Sequence, residues 1–215
     1  MNEPLYIIGA GGHATSVAEI AFAANFNLQA FISPDSSATE LMGLPILATI
    51  PQQMDLTSIK LAIAIGDNYQ RESVFDSLKD QFLIESFPAL IHPSASVALS
   101  AVIGFGCTVH QNAAVGSNSV VGNFCTLNTG SNTDHDCQLS DFSSLGPGAD
   151  LGGNVNLGTR SAIAIGATVR HGLSIGPDSI LGAASYANSD IAGNTIAFGS
   201  PARVVRSRVI GEKYL

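Results

Sequence analysis

From Ile91 onward the chain repeats its apolar positions every six residues. The column runs Ile91, Val97, Ile103, Val109, Val115, Val121 and Leu127, is broken by Thr133, and resumes through Leu139, Leu145, Leu151, Leu157, Ile163, Val169, Ile175 and Leu181. Two residues before each of these the side chain is small, as at Ala95, Cys107, Ser119, Cys137 and Ser161, with Val155 and Leu173 as exceptions. Glycine often follows the column residue, as at Gly104, Gly122, Gly146 and Gly182. A period of six fits neither a 3.6-residue helix nor a hairpin. It predicts a solenoid in which each hexad is one short strand and one turn and three hexads close a triangular coil. Residues eighteen apart then stack at about 4.8 Å, the spacing of paired strands. The column residue points into the prism, and the small residue has room only near a corner. The span makes about five coils, above the minimum of about three that a solenoid needs.

Before the repeat the pattern changes. Leu5–Ile8 reads as a buried strand running into Gly9-Ala10-Gly11-Gly12-His13-Ala14, and a helix follows with Val17, Ile20, Ala21 and Ala24 on one face. Leu28–Ile32 is a second strand, closed by Pro34-Asp35, and Gly43–Leu47 a short third. Pro51 can start a brief helix. Leu61–Ile65 is a further strand ending at Gly66-Asp67-Asn68; Val74, Phe75 and Leu78 mark a second helix, and Phe82–Ile84 is expected as a last strand. Strands alternating with helices imply a parallel sheet. The expected organisation is an α/β Rossmann-like domain over 1–89, a β-helix over 90–186 and a tail over 187–215 packing on the last coils.

Composition narrows the classes. Hydrophobic residues make up 46% of the chain and charged ones 12%, which suits a repeat core whose backbone groups pair between coils. No apolar run reaches the roughly 18 residues of a membrane span, and no basic segment precedes an apolar one at the N-terminus. A cytoplasmic protein is expected. The net charge of −8 argues against nucleic acid or an anionic membrane as partner. That charge is uneven: residues 1–159 hold three basic and fourteen acidic side chains, residues 160–215 six basic and three acidic. The last coils and tail are therefore expected to meet an anionic ligand through Arg160, Arg170, Arg203, Arg206, Arg208 or Lys213, the alternative being charge placed for solubility alone. Cys107, Cys125 and Cys137 all fall in the small corner slot and read as buried thiols.

Three stretches carry candidate chemistry. Glycines in the first loop let a ligand approach the backbone where a helix starts, a setting for a phosphate or ribose. Gly9, Gly11 and Ala14 also fit G-x-G-x-x-A, with Asp35 some way beyond. Gly66-Asp67-Asn68 should end a neighbouring strand on the same sheet edge, where open α/β sheets bind ligands. The third stretch surrounds Thr133: Asn128, Thr129, Ser131, Asn132, Asp134, His135 and Asp136 form the most polar patch of the repeat. His135 beside a carboxylate reads as a general base, or else as part of an exposed polar face. His92 and His110, eighteen apart, are expected to stack. His171 lies two coils from His135, and no two histidines of the repeat are close enough in sequence to build a metal site within one chain.

These residues resemble the left-handed β-helix (hexapeptide-repeat) acyltransferases, in the branch that acetylates nucleotide-linked amino sugars, including the enzymes of di-N-acetylbacillosamine synthesis, and the related sialic-acid O-acetyltransferases. The resemblance rests on Gly9-Ala10-Gly11-Gly12-His13, Ala64-Ile65-Gly66-Asp67-Asn68, Leu127-Asn128-Thr129, His135-Asp136 and Gly199-Ser200-Pro201-Ala202-Arg203, and spans nearly the whole chain. It implies the left hand of the coil, a homotrimer with acetyl-CoA bound between subunits, and no metal. It implies His135 and Asp136 as catalytic residues, Gly11, Gly12, His13, Asp35, Gly66 and Asn128 toward the substrate, and Ser144, Gly153, Ile165 and Ala183 toward the cofactor. Three departures stand out: Asp136 replaces the usual glutamate, Ser33-Pro34-Asp35 replaces paired acids, and Ser144 stands where relatives place a second histidine.

The implied reaction is acetyl-CoA-dependent N-acetylation of a UDP-linked 4-amino-4,6-dideoxy sugar, with UDP-2-acetamido-4-amino-2,4,6-trideoxyglucose first among candidates, in bacillosamine or O-antigen synthesis. The alternatives are O-acetylation of a sialic acid on the same fold, a γ-type carbonic anhydrase, which would need three histidines on zinc, and an NAD-binding redox domain joined to a structural solenoid.

Overall fold

The computed structural model describes residues 3–51 and 58–213. Among them, β1 (Pro4–Ile8), β2 (Asn27–Ile32), β3 (Glu40–Leu41), β4 (Leu44–Leu47) and β5 (Lys60–Ile63) form a sheet of order β3-β4-β2-β1-β5, parallel except for the β3–β4 pair. The alternation of β1 explains its two covers. Leu5 and Ile7 face α1 (Gly12–Ala23), through Val17, Ala18, Ile20 and Ala21. Tyr6 and Ile8 face the other way, with Leu61, Ile63 and aromatic side chains of the repeat. The short helix expected at Pro51 lies outside the described residues.

The expected strand at Phe82–Ile84 does not form. After α2 (Asn68–Leu78) the Phe82 N–H donates to Leu78 O at 3.0 Å and Ser86 N–H to Leu83 O at 3.0 Å. Those local bonds make a 3₁₀ turn at Ile84–Ser86 and leave the segment no ladder to offer β5. Phe82 is buried against Phe87 while Leu83 points to solvent, so the apolar run was one of anchors and not of a strand.

From Leu90–Ile91 to Tyr186–Ala187 the chain is a β-helix of two-residue strands. Every pairing joins residues eighteen apart. One stack runs Val97, Val115, Thr133, Leu151, Val169; the second Ile103, Val121, Leu139, Leu157, Ile175; the third Ile91, Val109, Leu127, Leu145, Ile163, Leu181. Thr133 keeps the inward place and is fully buried, its hydroxyl without a partner. A closing hairpin, Thr195–Gly199 with Ala202–Ser207, continues the third face.

Two further columns explain the turns. Every sixth residue from Gly106 to Ala184 has positive φ, so each corner turns through one left-handed residue. Most are Gly, Asn or Asp, which tolerate this region. The glycines after the inward column have another cause: a Cβ on Gly104 or Gly158 would lie 2.7 or 2.5 Å from backbone atoms of the next coil. At these glycines the backbone of the next coil lies too close for a side chain.

Within the left-handed column, Gly106, Phe124, Phe142, Arg160 and Asp178 share one corner, and that corner meets the N-terminal domain. Phe124 and Phe142 stack with centroids 5.2 Å apart, and Phe75 of α2 packs on Phe124 at 4.3 Å. Arg71 of α2 is almost completely buried there. Its Nε donates to Phe124 O at 2.8 Å, its Nη2 to Phe142 O at 2.9 Å and its Nη1 to Ile65 O at 2.8 Å and Gly66 O at 3.1 Å. Asn68 Nδ2 donates to Arg160 O and Ser161 O, and Arg160 pairs with both Glu72 and Asp178.

Candidate active site

Three cavities of about 480–500 Å³ surround these elements. The first is the mouth of the glycine loop. Parallel β1 and β5 end side by side, bringing Gly9, Ala10, Gly11, Gly12 and His13 against Ala64, Ile65, Gly66 and Asp67, with Ser33, Gln70 and Lys213 at its edge. Gly9 has φ +117° and a Cβ would meet Ala64 O at 2.8 Å, so only glycine lets the two strand ends come this close. Gly11, Gly12, His13 and Gly66, grouped from sequence, do come together; Asp35 lies exposed beyond Ser33 and does not line the cavity.

The second cavity is an apolar groove along the third face of the prism. Thr126, Asn128, Ser144, Gly146, Pro147, Ala162, Ala164, Ile165, Gly182 and Ala183 line it, Phe198 closes its C-terminal end, and His13 and Gly66 stand at the other. His13 and Gly66 line both cavities, so the two adjoin at these residues. Asn128 is held by its Nδ2 donating to Leu145 O at 2.8 Å. Ser144, Ile165 and Ala183, expected toward the cofactor, all lie in this groove.

Gly153 does not. It lines the third cavity, on another face of the prism, with Asn132, Asp134, His135, Asp150, Gly152, Thr168, Arg170 and His171. His135 sits in the turn after Asn132–Thr133. The Asp136 carboxylate accepts at 2.8 Å from His135 Nδ1 and is held in turn by Asn118 Nδ2 at 3.1 Å. Asp136 owes its orientation to its left-handed φ of +57°, which suits aspartate better than most residues. The hydrogen bond to Asp136 and the charge of Asp134 raise the His135 pKa; the bonds from His135 and Asn118 lower that of Asp136. With Nδ1 tied to the carboxylate, Nε2 is left to take a proton. It lies directly over Gly153, where a Cβ would stand 2.5 Å from it. Glycine at 153 is what allows the ring to lie flat over the next coil.

Sequence reasoning missed two residues. His110 keeps the register with His92, whose N–H donates to Val109 O at 2.9 Å, and its ring is buried against His13, ring centroids 5.7 Å apart, which the sequence did not suggest. It stands eighteen residues before Asn128, and that register is the signal that could have placed it at the end of the groove. Burial drives the pKa of both rings down to about 4, with Arg71 adding to the effect on His13, so both are neutral at pH 7 and His13 is a poor proton acceptor. Arg71 was the other omission.

The basic C-terminal region, residues 160–215, also needs correction as an anion site. Arg160 is neutralised by Glu72 and Asp178, Arg206 by Glu212, and Arg208 is buried with its guanidinium on the Asp178 and Glu212 carbonyls. Arg170, Arg203 and Lys213 remain for ligands. All three cysteines are buried free thiols. Among the described residues no three His, Cys, Asp or Glu side chains are grouped to hold a metal ion, and no helix is long and apolar enough to cross a membrane.

Residues 4–78 match the family model described as the PglD N-terminal domain. The GDP-perosamine N-acetyl transferase of Caulobacter crescentus, solved with CoA and GDP-perosamine after replacement of one histidine by alanine, is 31% identical over 96% of this chain and 99% of its own, with a TM-score of 0.87. The acetyltransferase domain of PglB from Neisseria gonorrhoeae, solved alone and with acetyl coenzyme A, is 32% identical over 95% of this chain and 100% of its own, with a TM-score of 0.88. WeeI from Acinetobacter baumannii shares the fold at 24% identity and a TM-score of 0.82, over 94% of this chain and 99% of its own. None of the curated proteins matches the chain in sequence.

Proposed function

We propose, from the premise that this chain belongs to the family of left-handed β-helix, acetyl-CoA-dependent sugar N-acetyltransferases, that it acetylates the 4-amino group of a nucleoside-diphosphate-linked 4-amino-4,6-dideoxy sugar. The observation that carries this reading is the joining of the two cavities at His13 and Gly66. A nucleotide on the glycine loop would place its sugar at the end of the apolar groove, and the pantetheine arm would lie along that groove. In the reaction the amine nitrogen attacks the thioester carbon, the C–S bond breaks, His135 takes the proton lost by the nitrogen and the thiolate leaves to be protonated as CoA. The Gly153 N–H, which makes no hydrogen bond among the described residues, is a candidate donor to the oxyanion.

His135 and the groove lie on different faces of one chain, so the site is complete only where two chains lie side by side. A closed threefold ring supplies each groove with a neighbour's His135. Light scattering should therefore give three chains per particle at micromolar concentration; a monomer would remove the basis for a shared site. The use of acetyl-CoA agrees with a cytoplasmic location.

The sugar is tested by release of CoA thiol from acetyl-CoA against a panel. The resemblance in sequence puts UDP-2-acetamido-4-amino-2,4,6-trideoxyglucose first, and the Caulobacter relative puts GDP-perosamine second. Release that depends on a nucleotide amino sugar is expected. Release with a sialic acid alone, or with none of the panel, overturns the reading.

A further inference from the structure

We propose that Lys213, on the C-terminal tail, is a binding residue for the diphosphate of the nucleotide, an inference that rests on the nucleotide reading of the glycine-loop cavity. Lys213 lines that cavity, and it is the one Lys or Arg side chain among the described residues doing so. The sequence assigned it with the other C-terminal cations to a single anionic ligand. The structure separates them: Arg160, Arg206 and Arg208 are held by internal partners, while the tail carries Lys213 away from the last coils to the N-terminal domain.

The tail is fixed in that course. The Glu212 carboxylate accepts from Arg206 Nη1 at 3.1 Å and from the Val209 N–H at 3.3 Å, and Glu212 O accepts from Arg208, whose Nη1 also holds Asp178 O at 3.1 Å. Gly211, with φ +81°, passes against the Tyr69 ring of α2, where a Cβ would stand 3.2 Å from it. The ammonium after Glu212 is thus delivered to the cavity mouth by a built turn.

The rest of the lining fits a ligand with two unlike ends. Gly11 begins α1 with no side-chain cap and no acid in the first turn, leaving N–H groups for an anion. Asp67 caps α2 by accepting from the Gln70 N–H at 2.9 Å, and its second oxygen, Oδ2, is buried without a partner. A carboxylate repels phosphate and needs an N–H or O–H donor, which a base or a ribose supplies. A nucleoside diphosphate has both ends: donors toward Asp67, phosphates toward the glycine loop and Lys213.

The test is calorimetry of UDP, GDP, uridine and guanosine on the full chain and on Lys213→Gln. Tighter binding of a nucleoside diphosphate than of its nucleoside is expected in the wild type. Lys213→Gln should weaken UDP or GDP by about 5- to 20-fold, leave the nucleosides and CoA within twofold, and flatten the salt dependence of diphosphate binding. Glu212→Gln, which loosens the turn, should act in the same direction on the diphosphates alone. Unchanged diphosphate affinity in Lys213→Gln overturns the inference and leaves the nucleotide reading standing. If neither UDP nor GDP binds the wild type, the nucleotide reading falls and the role of Lys213 with it.

Discussion

Replacing His135 by alanine is expected to lower kcat by about 10²–10⁴-fold, the usual worth of a positioned general base, with KM for both substrates within a few-fold. The amine becomes acidic only as it bonds to the thioester carbon, so the imidazole acts late and contributes little to ground-state binding. Nε2 over Gly153 is the available nitrogen, because Nδ1 is bonded to Asp136. The pH profile gives an independent check on the same ring. Asp136 raises the His135 pKa, so protonation silences the base on the acid side. Asp136→Asn should move that acid limb to lower pH, and should lower kcat less than His135→Ala, since the ring keeps a hydrogen-bond partner and loses only the charge. Near-full kcat in His135→Ala between pH 6 and 9 would place the base elsewhere. His13 is then an unpromising substitute, since burial has pushed its pKa to about 4.

Arg71→Ala is expected to destabilise the protein by about 3–5 kcal/mol, read as a fall in Tm or in the urea midpoint. The guanidinium donates to the carbonyls of Phe124, Phe142, Ile65 and Gly66 and to the Asn68 side chain, all in a buried seam. A charge-assisted hydrogen bond is worth roughly 1.5–3 kcal/mol net, and each acceptor left dry costs about 1–3; rehydration of the enlarged seam keeps the total below the sum of the parts. Because two of the acceptors belong to the Ile65–Gly66 loop, nucleotide binding should weaken along with stability. Arg71→Lys, which keeps the charge and loses the fork, should recover part of the stability and little of the loop geometry. Unchanged Tm in Arg71→Ala would show that the seam does not depend on this side chain.

How much of this was legible varies with how local the cause is. The β-helix could be read because its rule repeats at each hexad, and even the Thr133 break keeps its inward place. The His135–Asp136 pair could be read because the partners are neighbours in the chain. The left-handed column was hidden. Asn112, Asn118 and Gly130 advertise such turns, but Phe124, Phe142 and Arg160 do not, because docking against α2 and not local preference holds them there. Arg71 was invisible since most of its partners are backbone carbonyls, which no pattern of side chains reveals. The anion site was misjudged for a related reason: Glu72, which neutralises Arg160, lies 88 residues away in sequence, and only the fold brings the two together.

The corner shared by Gly106, Phe124, Phe142, Arg160 and Asp178 constrains how the chain can change length. A hexad inserted between Leu90 and Phe124 turns everything beyond it by a third of a revolution. The two phenylalanines would then face solvent, and a different corner would be offered to Arg71. An insertion of eighteen residues restores the angle but displaces the seam by one coil. Before the seam, the repeat therefore cannot gain or lose single hexads without undocking the first domain. Beyond Asp178 the constraint takes another form, because the tail returns Gly211 to the Tyr69 ring of α2 and Lys213 to the glycine loop, and added coils would carry both away. The β-helix is in this sense a screw thread whose start is keyed to its head.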